Sequence, residues 1–274
     1  MPDSQVVIGD SRRMTELADE SVHLVVTSPP YPMISIWDET FRLASATTYE
    51  QMHDYLGRVW KEVGRVLVRG GIACVNIGDA TRTVDGVFRV FPNHSRIIEA
   101  FEREDFLTLP YILWKKPTSK PSYKGKGAFL GSGFLPPNAY VTLDMEYILI
   151  FRKGNPRRFP PKDPDRYKSK FTKAERDEWF SQVWSVTGVR QTTNGYQRRT
   201  AAFPEQIPYR LIRMFSIIGD TVLDPFLGTG TTAKVALELD RRFIGYEQEG
   251  ELADVIRLKL GQLADQVVFL KQAS

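Results

Sequence analysis

Residues 221–233 read TVLDPFLGTGTTA, an apolar β-branched start, a turn holding two glycines, and a threonine-rich opening to whatever follows. The pattern is that of a strand, a tight turn and a helix. Gly228 and Gly230 carry no Cβ, so the backbone can turn sharply there and let a ligand approach closely. A helix starting near Thr229, Gly230 and Thr231 offers free amide N–H groups to that ligand. Glu247 ends the next apolar stretch, RRFIGYE, about 19 residues after Gly228, where a carboxylate can accept hydrogen bonds from ribose hydroxyls. Taken alone, the segment is open to more than one reading. Gly228-x-Gly230-x-x-Ala233 also satisfies the dinucleotide fingerprint of NAD-linked enzymes, and a plain strand-to-helix joint is punctuated in the same way. Asp224 and Phe226 tilt the choice. An acid at the strand end disfavours a bound pyrophosphate and suits a ligand carrying a sulfonium and an ammonium.

Outward from this segment, short apolar runs recur at the spacing of alternating strands and helices. QVVIGD (5–10), GIACVNIGD (71–79) and RRFIGYE (241–247) read as strands, and VHLVVTSPPY (22–31) as a strand running into a proline turn. Residues 49–68 place Tyr55, Val59, Val63 and Val66 at helical intervals, Arg96 to Phe101 looks helical, and 204–216 and 229–240 form two further helices. FLTLPYILWKKP (106–117) and MEYILIFRKG (145–154) suit two more strands, as a hairpin with a long connection. The expected fold is α/β, a doubly wound, Rossmann-like and mostly parallel sheet. Residues 154–200, rich in Arg, Lys, Pro and aromatics with a short helical patch near Lys173–Phe180, read as an inserted region. They divide the chain into 1–153, 154–200 and 201–274.

A second motif lies at the end of an apolar strand, Thr27-Ser28-Pro29-Pro30-Tyr31. The two prolines fix their own φ angles and hold the turn rigid, at the sheet edge where open α/β folds bind ligands. A planar amino group conjugated to a ring is a poor nucleophile, because its lone pair is delocalised. Acceptors for its N–H groups, here the Ser28 hydroxyl and the Pro29 carbonyl, draw that lone pair toward an electrophile. Tyr31 offers an aromatic face for an extruded base.

Together the two motifs resemble the bacterial DNA amino-methyltransferases, over most of the chain. TSPPY is similar to that family's catalytic motif and DPFLGTGTT to its cofactor loop, in the order of the β-type members. The resemblance implies S-adenosyl-L-methionine as cofactor, with Asp224, Pro225, Phe226, Gly228, Thr229, Gly230, Thr231 and Glu247 around it. It further implies that Asp10 contacts the adenine and that Phe203, ahead of Pro204, packs about the methionine part. Many relatives carry His-Pro where this chain reads Ala202-Phe203-Pro204. It implies Ser28, Pro29, Pro30 and Tyr31 as the catalytic set, with a region for target recognition between the motifs. Ser-Pro-Pro-Tyr is associated in this family mainly with the N4 of cytosine, and Asp-Pro-Pro-Tyr mainly with the N6 of adenine. The alternatives are the same reaction on adenine N6, an NAD-linked oxidoreductase, and a non-catalytic DNA-binding subunit. Double-stranded DNA is the implied partner, with room for a homodimer and for a restriction endonuclease of the same system.

Composition narrows this further. Thirty-seven Lys and Arg against 33 Asp and Glu give a net charge of +4, compatible with a polyanionic partner. Lys115, Lys116, Lys124 and Lys126 crowd one stretch, Arg157, Arg158, Lys168 and Lys170 another, and Arg190, Arg198 and Arg199 flank QTTNGYQ. Such clusters suit phosphate contacts and base reading. Trp37, Asp38 and Glu39 follow the proline turn and suit a loop over a target base, though Trp37 fits a core equally well. Cys74, the single cysteine, sits in the apolar run IACVNI; a buried thiol there is inert, which excludes the covalent chemistry of C5 methylation. His23, His53 and His94 are scattered without metal-ligand spacing, so no metal is expected. The first residues lack a signal-peptide pattern, and the expectation is a soluble cytoplasmic protein with no membrane span.

Overall fold

Described here from a computed structural model covering residues 4–116, 141, 143–188 and 203–273, the chain folds 221–233 as a strand, a tight turn and a helix. In chain order the strands are β1 (Ser4–Ile8), β2 (Val22–Thr27), β3 (Leu67–Ile77), β4 (Ala80–Val84), β5 (Val87–Phe91), β6 (Phe106–Lys115), β7 (Met145–Lys153), β8 (Val183–Trp184), β9 (Thr221–Asp224), β10 (Arg242–Glu247) and β11 (Val267–Lys271). The helices are α1 (Asp38–Leu43), α2 (Tyr49–Val66), α3 (Asn93–Arg103), α4 (Pro164–Lys168), α5 (Lys173–Trp179), α6 (Gln206–Phe215), α7 (Thr231–Glu238) and α8 (Leu252–Leu260).

Nine strands pair in the order β11-β1-β10-β9-β2-β3-β7-β6-β8. Only β7 runs against its neighbours, pairing antiparallel with both β3 and β6; the other pairs are parallel. The long-range hairpin read from 106–117 and 145–154 is therefore present, with Lys115 opposite Met145. Alternation along each strand sorts side chains onto two faces. Val6, Leu24, Val26, Cys74, Ile148, Val222 and Phe243 pack beneath α6, α7 and α8. Val7, Val25, Ala73, Val75, Leu149, Leu223 and Ile244 pack against α2 and α3. Helix α2 owes its length to its sequence: Thr48 and Gln51 form a reciprocal capping box, and Tyr55, Val59, Val63 and Val66 share the buried stripe.

Several elements escaped the sequence reading, among them a hairpin and the last helix and strand. The β4–β5 hairpin turns at Asp85-Gly86, both with positive φ, an Asp-Gly signal of a two-residue hairpin turn. Helix α8 and strand β11 extend the sheet beyond β1. The described part of 154–200 joins the main sheet and its core. Trp179, Trp184 and Val186 sit in the same core as α6 and β6, and β8 pairs with β6 at the sheet edge. No helix among the described residues is long and apolar enough to cross a membrane.

Candidate active site

Between β9 and β2 the chain's direction of travel across the sheet reverses: β9 leads outward to β10, and β2 leads the other way to β3. A crevice opens at the carboxyl ends of strands at such a switch point. The ends of the two strands are tied together there. Asp224 is buried and accepts hydrogen bonds from Thr27 Oγ1 at 2.6 Å, Thr232 Oγ1 at 2.6 Å and the Phe226 N–H at 3.1 Å. Burial pushes its carboxyl up to about 6, against the pull of those donors. Asp224 was expected to offset a bound positive charge; its oxygens are instead committed to bracing β2, the turn and the start of α7.

Two adjoining clefts open above this brace, of about 410 Å3 and 720 Å3 with the space open to solvent included. Ser28, Trp37, Phe226 and Gly228 line both. The smaller adds Phe203, Asp224, Thr229 and Thr231; the larger adds Ser11, Pro30, Tyr55, Pro225, Glu247 and Gln248. Gly230 caps α7 with φ +86°, a conformation that glycine adopts without strain, and a Cβ there would stand 3.1 Å from Ile256 Cγ2. Lys259 Nζ fixes the same turn by donating to Thr229 Oγ1 at 2.7 Å and Thr231 Oγ1 at 2.9 Å.

Glu247 stands at the end of β10 as the spacing predicts. Its Oε2 accepts from the Gly228 N–H at 2.8 Å and its Oε1 from the Glu249 N–H at 2.9 Å, which leaves a lone pair on each oxygen. Burial raises its carboxyl to about 7. Asp10 is paired with Arg12. Burial alone would raise it, but Arg12, donating through Nε at 2.8 Å and through its backbone N–H at 2.9 Å, holds it below the ordinary value. Its neighbour Ser11, not Asp10, lines the cleft. Tyr55 is positioned by Gln248 Nε2, which donates to its hydroxyl at 3.0 Å, and by the Arg12 guanidinium over its ring.

The proline turn is held from below. Asn93, fully buried, donates to the carbonyls of Pro32 and Gly78 at 3.0 and 2.9 Å. Ser28 Oγ lies 3.1 Å from the Tyr31 hydroxyl, which donates to Glu146 Oε2 at 2.9 Å. Asn76 Nδ2 donates to both, at 2.7 and 2.8 Å, and Lys116 Nζ binds Glu146 Oε1. Tyr31 was expected to present a ring face to a base. Its ring is 5% exposed, packed against the site where a Gly78 Cβ would stand, because its hydroxyl is drawn inward to Glu146 and Asn76.

With this geometry in view, the wider similarity is specific. The family model described as DNA methylase, of the N6/N4 type, matches residues 22–258. The chain belongs to the N6/N4 DNA methylase family. Among its relatives, the type II methyltransferase M.MjaI of Methanocaldococcus jannaschii is 61% identical, covering 94% of this chain and 91% of that one. M.MthZI of Methanothermobacter thermautotrophicus is 44% identical over 94% and 76%. Both come from archaea, whereas the sequence resemblance pointed to bacterial enzymes. TTHA0409 of Thermus thermophilus, solved in complex with S-adenosyl-L-methionine, superposes with a TM-score of 0.77 at 32% identity, covering 99% of each chain. The cytosine-N4-specific PvuII DNA methyltransferase shares the fold, with a TM-score of 0.65 at 19% identity over 98% and 97%.

The basic residues of this methylase fall into three places. Lys115 is exposed at the carboxyl edge, but Lys116 is bound to Glu146 beside the Trp114 ring. It thus joins the site's network while its side chain stays partly exposed. Arg157 pairs with buried Asp220 at 2.6 and 2.9 Å, at the amino end of β9, and Gly70 near the start of β3 abuts its backbone. From there to the carboxyl end of β3 is roughly 20 Å at 3.3 Å per residue. Arg158 follows Arg157 in sequence; Lys168 pairs with Asp165, and Ser169 and Lys170 belong to the groove lined by Arg157 and Gly70. The chain leaving β7 turns under the amino ends of the sheet, so Arg157 and the groove that Lys170 lines stand away from the clefts. Lys124, Lys126, Arg190, Arg198 and Arg199 lie outside the described residues. Sequence reasoning missed Ser11, Tyr55, Asn76, Glu146, Thr232 and Gln248. Asn76 gave a signal as an amide inside the apolar run IACVNI, and Thr232 as the last residue of DPFLGTGTT.

Proposed function

We propose that this DNA methylase transfers the methyl group of S-adenosylmethionine to the exocyclic N4 of a cytosine flipped out of double-stranded DNA. The observation that carries the reading is the position of Ser28, which lines both clefts at the switch point while heading the Ser-Pro-Pro-Tyr turn. The cofactor, S-adenosylmethionine, supplies an electrophilic methyl group. The residues present suit it. Glu247 keeps a free lone pair on each oxygen for the ribose hydroxyls, Tyr55 and Gln248 border the larger cleft on the adenine side with Asp10 behind Ser11, and Phe203, Thr229 and Thr231 border the smaller, methionine side.

Ser28 Oγ and the Pro29 carbonyl accept from the amino N–H groups, returning the lone pair to nitrogen and aiming it at the methyl carbon. Positioning of the two partners supplies much of the rate gain. As the new N–C bond formed, the methyl–sulfur bond would break with its electron pair left on sulfur, and the amino nitrogen would give up one proton to solvent. Recognition is assigned to Lys115, Lys124 and Lys126, and to Arg190, Arg198 and Arg199. The described residues that bracket these stretches, Lys116 with Met145 and Val186 with Phe203, lie at the cleft edge of the sheet. The type II designation of the relatives extends the proposal to a restriction–modification system with a companion endonuclease. Ser28→Ala tests the reading: cofactor affinity measured by calorimetry stays within about twofold while turnover on DNA drops about a hundredfold. Full activity in the variant would remove Ser28 from the chemistry.

A further inference from the structure

Glu146 has no part in the chemistry assigned so far, yet four elements converge on it. It starts β7, Asn76 comes from β3, Lys116 follows β6, and Tyr31 and Ser28 belong to the turn after β2. The order of donors and acceptors in this cluster is forced. A carboxylate only accepts, and Lys116 donates to its Oε1. The 2.9 Å contact between Glu146 Oε2 and the Tyr31 oxygen therefore needs the single phenolic proton. That leaves Tyr31 with lone pairs alone for its other two neighbours. Asn76 is turned to match: its Nδ2 donates to Tyr31 and Glu146, while its Oδ1 is buried with no hydrogen-bond partner in the structure. Burial pushes the Tyr31 hydroxyl well above its ordinary value, so it keeps its proton. At 3.1 Å the remaining partner of Tyr31 is Ser28, whose one proton must point to Tyr31.

We propose that Glu146, acting through Tyr31, fixes Ser28 Oγ as an obligate acceptor toward the target base, so that the site admits an exocyclic amino group and rejects a keto oxygen at the same ring position. The inference rests on the reading that Ser28 faces that base. Glu146 is a positioning residue, since it acts through Tyr31. A base amino group donates to Ser28; a keto oxygen would set lone pair against lone pair in a partly desolvated cleft, and leaving a polar group unpaired there is costly. The cluster thus builds an amino-for-keto filter one bond removed from the base.

The experiment uses a duplex carrying the sequence that the full-length enzyme methylates, with the target base either natural or replaced by its keto counterpart, uracil for cytosine or hypoxanthine for adenine. Affinities are measured with the cofactor product bound. The wild type prefers the amino base. In Glu146→Gln the new amide can donate to Tyr31, reverse its proton and free the Ser28 proton. The preference falls about tenfold, and kcat falls by a similar factor while KM for DNA moves little. Glu146→Asp, acceptor-only, restores the preference, and Tyr31→Phe loses it without further loss in the double variant. Comparing the ratio between variants cancels the easier flipping of a mismatched base. Unchanged preference in both Glu146→Gln and Tyr31→Phe, with cofactor affinity intact, overturns the proposal. A wild type that methylates no DNA and shows no amino preference would instead overturn the reading of the substrate, and the filter with it.

Discussion

Cofactor affinity should depend on pH through Glu247, and the size of the effect follows from the structure. Burial raises the Glu247 carboxyl to about 7, and both oxygens already accept one backbone N–H. Ribose hydroxyls donating to the remaining lone pairs require the ionised form. If only that form binds, the apparent Kd scales as one plus the ratio of protonated to ionised carboxyl. Between pH 8 and pH 6 that factor rises about tenfold. Glu247→Gln cannot titrate. It also turns one donor toward a backbone N–H, so at pH 8 it should bind S-adenosylmethionine roughly 10- to 100-fold more weakly, the worth of one or two hydrogen bonds to a charged group. The cofactor's own α-amino group titrates near pH 8, but equally for both proteins. The ratio of variant to wild-type Kd is therefore the quantity to follow by calorimetry at pH 6, 7 and 8. It should shrink about tenfold from pH 8 to pH 6. A ratio that stays constant with pH, or a variant that binds as tightly as the wild type, would refute the placement of the ribose at Glu247.

Asp224 gives a stability counterpart. Its folded carboxyl holds a proton to about pH 6 against an ordinary 3.8, so the native state binds more protons in that window and gains stability as pH falls. Relative to Asp224→Asn, the wild type should gain about 1.3 kcal/mol between pH 7 and pH 5, or about 3 °C in Tm; a pH-independent difference would contradict the burial argument. Arg157→Ala should lose roughly 2–4 kcal/mol on denaturant titration, because it strands the buried Asp220 carboxylate, yet leave DNA affinity unchanged. Weakened DNA binding with intact stability would restore the role read from sequence.

The central sheet was legible because its strands alternate apolar residues with clear turn chemistry, and because TSPPY and DPFLGTGTT each end a strand where ligands bind. Boundaries shifted by a few residues: the strand read as 71–79 runs from Leu67 to Ile77. Roles were harder to read than positions. Asp224 and Tyr31 were found, but whether an acid faces a ligand or braces a turn depends on which hydroxyls reach it, here Thr27 and Thr232 from 197 and 8 residues away. Glu146 lies 115 residues from Tyr31, a pairing that no local pattern reveals. Where the basic run 157–170 lies on the sheet was not legible, because charge density does not encode direction. Arg157 follows β7, the one reversed strand, so the chain emerges at the amino end of the sheet and not above the clefts.

The most direct test of the proposed activity is product identification. The protein is incubated with labelled S-adenosylmethionine and unmethylated genomic DNA, the DNA is digested to nucleosides, and the labelled nucleoside is identified by mass spectrometry. The account predicts N4-methylcytosine, absent when Ser28→Ala replaces the wild type. N6-methyladenine would keep the site and its chemistry but contradict the choice of cytosine.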